Sequence, residues 1–431
     1  MRIEQDKNMF TALRHRDYRL YWIGAVISFI GSWTQSVSYQ WLVYEITGSK
    51  LWLGIVGFAG SLPLFALTLF GGALADRVNK RKTLIVTQSF FVVFAFILGL
   101  LVQRGVIAKN FEPAKYIVTI IAVMQGIVLS LDQPLRQMMP ATLVPKEDLV
   151  NAVMLNSSAF NGARIIGPML AGYLIARFGM ASCFYVNSAS FLAVILALAL
   201  MHKETPAAKA KNKSLVEDTI EGMRYILNHS QIKKLMLAVG VSALFVMPYA
   251  TLMPVFAKDI LHSGVKGNAA LLTSVGIGAL AGTLTLAGAS KHEGRGKMLV
   301  LASAVGGILM ILFANSENFL LSRLLLIGLG FAIVSFNQTA NSLIQLASDD
   351  RFRGRVVSGY AFIFLGLAPF ANLQAGGLAE ALGAPATVTL WGLVFFATSV
   401  FLLSQKDMMA VKPPDHEAEI EITSQKDLRL S

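Results

Sequence analysis

Apolar residues run along this chain in blocks of twenty or so, broken by short polar or charged turns. A hydrocarbon layer about 30 Å thick is crossed by roughly twenty apolar residues in a helix. The blocks predict twelve such spans, at 20–46, 51–75, 83–102, 116–140, 149–176, 181–201, 235–257, 268–289, 298–314, 319–346, 356–381 and 386–404. They are rich in Leu, Phe, Ile, Ala and Gly without strict alternation, which favours helices over a membrane barrel. The expected fold class is therefore all-α and integral to a membrane.

The long polar interval lies between the sixth and seventh blocks. "KETPAAKAKNK" reads as a solvated linker, and Ser214 with Glu217 forms a capping box that starts a helix. Val216, Ile220, Met223 and Leu227 then give that helix an apolar stripe, so it is expected to lie on the membrane surface. Two six-helix halves follow, 1–201 and 235–404, joined by 202–234 and followed by a tail, 405–431, with no apolar period. Weak repeats support the division: Arg81 after the second block matches Arg295 after the eighth, and "AGYLIARFG" at 171–179 matches "AGGLAEALG" at 375–383. Internal repeats of this kind are common in transporters.

Charge gives the orientation. Only 14% of the 431 residues are charged, with a net charge of +12. With an even span count and a cytoplasmic N-terminus, the inner segments hold 28 of the 37 Lys and Arg, the outer loops hold 7, and Arg164 and Arg323 lie within spans. This bias is the positive-inside rule, so both termini are expected in the cytoplasm and no nucleic-acid partner is implied. The first nineteen residues are mostly polar and do not read as a cleavable signal. The one cysteine, Cys183, excludes an intrachain disulfide or a multi-Cys metal site, and it falls near the outer end of the sixth span. No GxxxxGK[ST] occurs, so no built-in P-loop ATPase is read. No cluster suited to intramembrane enzyme chemistry, no metal site and no cofactor is expected; a scaffold would not need the repeat.

"GGALADRVNKRK" at 71–82 sits in the turn between the second and third spans. It resembles the loop signature of the major facilitator superfamily. "WLVYEITGS", "DQPLRQMMPATLVP" and "NAVMLNSSAFNGARIIGPMLAGYLIARFG" are similar to its bacterial proton-coupled exporters, the branch with macrolide-efflux and enterobactin-export permeases. The resemblance covers nearly all of 10–404. It implies a twelve-helix alternating-access exporter in the bacterial inner membrane, driven by the proton gradient; an importer or lipid flippase of the same fold is the alternative.

Physical chemistry gives the turn a role. Gly72 lets helices 2 and 11 approach, and Asp76 ends helix 2 where its carboxylate could face the N-terminus of helix 11, near Gly354 and Arg355. A carboxylate at a helix N-terminus is favoured by about 0.3–1 kcal/mol. Such a latch would form only with the cytoplasmic side closed. Arg77 and Arg81 would anchor to anionic lipid heads. Asn79 stands where the family usually has Gly, and is expected to tolerate left-handed geometry. In helix 5, Asn161, Gly167, Pro168 and Gly172 resemble the family's antiporter motif, in which proline bends the helix and glycines allow close packing. Ala163 replaces that motif's first Gly, and Ala122 replaces the family's usual helix 4 Arg.

With no histidine in a span, proton coupling falls to carboxylates. Glu45 and Glu380 sit at span ends; Asp132 lies deeper. Its partner could be Arg164 on helix 5 or Arg136 on its own helix. A substrate cavity between the halves is expected to be lined by Ser32, Gln35, Ser36, Tyr39 and Gln40 on one face of helix 1, by Met247, Tyr249 and Met253, and by Asn337, Asn341 and Gln345. Polar residues mixed with Met and aromatics suit an amphipathic small molecule. Beyond that solute and membrane lipids no partner is expected, so the protein is read as a monomer.

Overall fold

The computed structural model describes residues 10–109, 111–203, 215–288 and 294–405, without the side chains of 68–76, 215–220 and 287–288. The chain is helical throughout these segments. The helices are α1 (Arg16–Thr47), α2 (Lys50–Arg77), α3 (Lys80–Gln103), α4 (Ala114–Leu143), α5 (Leu149–Phe178), α6 (Ala181–Leu200) and the shorter α7 (Leu215–Asn228). After them come α8 (Ser230–Ile260), α9 (Gly264–Gly288), α10 (Arg295–Ala314), α11 (Phe319–Leu346), α12 (Arg353–Leu382) and α13 (Ala384–Ser404).

Among the described residues ten helices are long and apolar enough to cross a membrane. The sequence led to twelve. The two outside the ten, α1 and α5, have 32 and 30 residues and so have the length. Their polar stripes lower their mean hydropathy, because their buried faces serve protein rather than lipid.

Helix ends follow local chemistry. Gly48 closes α1 in the left-handed region, at φ 62°, and its N–H bonds Tyr44 O at 2.9 Å. Asn79 is a correction. It is extended, at φ −70°, and its side chain accepts from Lys82 N at 3.0 Å. Asn therefore suits this position as the N-cap of α3, not as a stand-in for a left-handed Gly. The helix α8 starts five residues earlier than the apolar block, straight after α7, and the His229 side chain caps it. Pro248 and Pro254 interrupt its regular ladder, leaving wide and tight turns between Ser242 and Ile260. A similar break before Pro369 divides α12 at Gly366.

Packing repeats along the chain. In the first set α2 lies on α4, α3 on α4 and α6, and α1 on α5 and α6; in the second α9 lies on α11, and α10 on α11 and α13. The sets meet mainly along two antiparallel pairs, α2 with α12 and α5 with α9. Lipid tails give helices no hydrophobic reason to associate, so close packing of small residues must do so. A Cβ on Gly54 would come 2.9 Å from Gly376 Cα, so only glycine lets α2 and α12 approach this closely. Rings fill the second set, with Phe256 4.7 Å from Phe313 and Phe336 5.0 Å from Phe395. Leu284, Leu301, Leu324 and Leu393 point outward, as lipid-facing residues must.

Candidate transport cavity and gates

The principal cavity has a volume of about 810 Å³. All five polar residues of the α1 stripe line it: Ser32, Gln35, Ser36, Tyr39 and Gln40. The helical period alone puts them on one face, and packing turns that face inward. Opposite stand Gln125, Gln133 and Gln137 of α4 and Asn156, Ser157 and Asn161 of α5, with Phe29, Phe91, Phe160 and Phe191 between. Two of these groups are held by neighbours: Asn187 donates to Gln35 Oε1 at 2.8 Å, and the Tyr39 hydroxyl donates to Val118 O at 2.5 Å. Ala122 also lines the wall, where the family's arginine would project. The second set contributes Thr251 and Asn372, hydrogen-bonded to each other at 2.8 Å.

Among the described residues the charged groups in this wall are Asp132 and Arg136. Asp132 is 1% exposed. One oxygen accepts from Thr87 Oγ1 and Gln88 Nε2, both at 2.6 Å, and the other from Arg136 Nε at 2.7 Å. Arg136 also donates to Gln88 Oε1 at 2.7 Å and Ser28 Oγ at 3.2 Å. Charging a side chain in mid-membrane costs about 2.5–3.5 kcal/mol, and a hydrogen bond to a charged group returns about 1.5–3 kcal/mol. Three such bonds are enough to hold the carboxylate there. Of the two partners open to Asp132, the structure selects Arg136, one helical turn away. Thr87 and Gln88 carry no sequence signal for this role, since they lie on another helix.

The other coupling candidates sit elsewhere. Arg164 stacks over Trp33, 5.7 Å from the ring, and interacts with the buried Tyr249 of α8. Glu45 is exposed. Glu380 accepts from the N–H groups of Lys50 at 2.9 Å and Leu51 at 3.1 Å, and from Ser49 Oγ at 3.4 Å. It caps the N-terminus of α2 from the end of α12. Beside it the Tyr44 hydroxyl bonds Asp259, and Lys258 lies 5.3 Å from the Tyr44 ring. These contacts close the base-poor end of the molecule between the two sets.

At the base-rich end the expected latch, Asp76 against the start of α12, falls on a side chain outside the described residues. Arg355 pairs with Glu221 of α7 at 2.8 Å, within its own set. Nothing lies within 4 Å of a Cβ built on Gly354. Arg77 is exposed, and Arg81 donates to Ala199 O at the end of α6 at 2.9 Å. Gly72 lies in α2, within the stretch whose side chains, that of Asp76 included, lie outside the described residues.

The helix 5 motif divides its work. Asn161 faces the cavity. Gly167 meets Trp33 of α1, and a Cβ on Gly172 would stand 2.8 Å from Ala269 Cβ of α9. Pro168 lacks the N–H that would bond Arg164 O, and that carbonyl lies 3.0 Å from a Cβ built on Gly276 of α9.

Five expected cavity residues are corrected. Tyr249 is 2% exposed and packs in the core, as does Met253. Asn337 donates to Ile333 O at 3.0 Å and accepts from Ser242 Oγ at 3.4 Å, so it joins helices. Asn341 lines a separate cavity of about 550 Å³ with Gln345, Arg295 and Arg353. A polar residue in a lipid-embedded helix must face protein or water, and the period does not say which.

Comparison with known proteins agrees with this architecture. The profile of a family described as transmembrane secretion effector matches residues 7–428. The staphyloferrin A transporter of Staphylococcus aureus (strain NCTC 8325 / PS 47) is 26% identical over 92% of this chain and 99% of its own. The multidrug efflux pump Tap of Mycolicibacterium fortuitum is 26% identical over 88% of this chain and 93% of its own. Among solved structures, the nucleoside transporter NupG superposes with a TM-score of 0.67 at 13% identity, covering 90% of this chain and 98% of that one.

Proposed function

The chain belongs to the transmembrane secretion effector family of the major facilitator superfamily, a family of multi-pass transporters and not enzymes, and from that premise we propose that it exports an amphipathic small molecule in exchange for protons. The observation that carries this reading is Asp132, buried in the wall of a cavity of about 810 Å³ whose other polar groups are neutral amides and hydroxyls, Arg136 apart. The amides offer hydrogen bonds, and the four Phe rings offer apolar faces. An opposed ion pair leaves the wall without net charge, which suits a neutral or zwitterionic solute better than a strong anion.

The base-rich end faces the cytoplasm in this reading, and the two halves rock against each other about the cavity. The structure then represents the inward-open state, with its outer gate held by Glu380, Asp259 and Tyr44. Substrate enters between α1, α4 and α5. A proton taken up by Asp132 removes the acceptor that orients Arg136 and Gln88, so the inner wall of the cavity rearranges. Asp132 thus links proton occupancy to the surface the substrate touches, while Arg164 at the α5–α8 contact reports which end is closed. Lateral amphipathic helix α7 stays with the second half.

Everted membrane vesicles carrying the protein test this reading. Uptake of a fluorescent amphipathic dye should require an inside-acid gradient, collapse with a protonophore and be lost in Asp132→Asn. Uptake that ignores the gradient, or an Asp132→Asn protein that concentrates dye like the parent, would refute proton exchange at this site.

A further inference from the structure

The outer side of a membrane protein is poor in bases, and here the outer loops hold 7 of 37. Two of those, Arg177 at the end of α5 and Lys266 at the start of α9, line one cavity of about 600 Å³ together with Arg323 of α11. Scarce charges of one sign have converged. Among the described residues no carboxylate lies within 4.0 Å of any of the three. Lys115, another base at this end, has its acid, Glu112 at 2.6 Å. Arg323 holds only Ser274 Oγ at 3.4 Å and lies 5.9 Å from the Phe319 ring.

The positions sharpen the point. A base at a helix C-terminus, like Arg177, is favoured by the helix dipole and needs no further reason. Lys266 is the third residue of α9, where the dipole opposes a cation. Its placement is unfavourable unless an anion sits beside it. The N-terminal turns of α9 and α11, which pack together, add their own positive ends.

The cavity also has a lipid-shaped approach. Met169, Tyr173 and Arg177 follow one another at four-residue spacing on α5, so they form one stripe about 12 Å long. Met169 and Tyr173 are 59% and 62% exposed, and Arg177 crowns the stripe at the membrane surface. This is an apolar track ending in a cluster of bases. It runs along the seam where Gly172 meets Ala269, with Arg177 on one half and Lys266 and Arg323 on the other.

We propose that this seam binds an anionic phospholipid of the outer leaflet, its phosphate among Arg177, Lys266 and Arg323 and an acyl chain along Met169 and Tyr173. One headgroup then bridges the two halves and favours the state in which the outer end is closed. A lipid with a net negative head is selected over a zwitterionic one, whose ammonium the three bases repel. The inference rests on a membrane-embedded chain whose base-rich end faces the cytoplasm, and stands apart from proton-driven export.

Native mass spectrometry of the purified, delipidated protein tests it, by adding back phosphatidylglycerol or phosphatidylethanolamine of the same chains. The parent should retain phosphatidylglycerol at least about tenfold better, since each base near an anionic head contributes roughly fivefold. R177Q and K266Q should each lose several-fold, and the triple variant with R323Q should show no preference. An unchanged preference in R177Q and K266Q overturns the proposal, and these two exposed positions decide even where the triple variant does not fold. Inorganic phosphate is the control arm. Full displacement of the lipid by millimolar phosphate would mark a site for soluble anions and overturn the lipid assignment. Because the readout is binding, its failure leaves dye export untouched, and a failure of export leaves it standing.

Discussion

The two halves of the molecule contain similar polar residues and use them differently. In the first, Gln40, Gln133 and Asn161 line the open cavity, and Gln35 lines it while accepting from Asn187. In the second, Asn337 and Tyr249 are packed away, and Gln374 is spent on the Leu244 carbonyl. Thr251 and Asn372 reach the cavity but bond each other. The packing of helices repeats across the halves, while the side chains on that scaffold have diverged. The first half gives the cavity most of its polar lining, and the second spends its amides on packing between helices.

The largest test of this division removes the charge from the wall. Asp132→Asn should lower gradient-driven transport at least about a hundredfold, since it loses a charge-assisted network worth several kcal/mol. Dye binding measured by fluorescence polarisation should fall far less. A parallel loss of binding and folded protein would make Asp132 structural.

A paired substitution then compares the halves directly. Gln40→Leu should raise the KM for transport about tenfold, the loss of one hydrogen bond to substrate, with the melting temperature unchanged. Asn337→Leu should leave the KM alone and lower the melting temperature by a few degrees, because Ser242 and the α8–α11 contact lose their partner. Equal effects on KM would erase the distinction between lining and packing.

The smallest effect is expected at the gate. Glu380→Gln removes a charge from an exposed helix N-terminus, where it contributes about 0.3–1 kcal/mol, so the ratio of outer-closed to outer-open protein should fall about two- to fivefold. In a protein with Cys183→Ser and a single cysteine at Ser36, labelling by an impermeant thiol reagent from outside should speed up by that factor. High salt should narrow the difference, since exposed charges are screened. No change in labelling would mean that the Tyr44–Asp259 contact holds the gate alone.

How much of this could be read from the sequence depended on distance along the chain. The α1 stripe was fully legible, because positions three and four apart share a face whatever the helix packs against. The transporter class was legible too, since long apolar blocks and the charged turn at 71–82 are local patterns. The shell around Asp132 was not, because Thr87 and Gln88 lie more than forty residues away and look like ordinary span residues. Asn337 and Asn341 share a stripe, yet one is glue and the other lines a different cavity. Glu380 drew attention as a carboxylate at a span end. Its role came from a helix terminus 330 residues earlier, which no local pattern announces. The span count shows the same limit, since α1 and α5, whose polar faces line the cavity, are the helices whose composition least resembles a lipid-embedded segment.

The capping of α2 by Glu380 has a consequence for how this gate evolves. Its acceptor side is a carboxylate, but its donors include two main-chain N–H groups, at Lys50 and Leu51. Side-chain replacement at those positions leaves the donors in place, and only proline deletes one. A bond of this kind cannot drive correlated substitution between its two ends. In an alignment of relatives, residue 380 would stay acidic while 50 and 51 drift independently, and covariation would be blind to the contact. The gate would therefore tolerate sequence change on α2 that a pair of side chains could not, and a lost Glu380 could be rescued by an acid at a neighbouring position on α12 with no compensating change opposite.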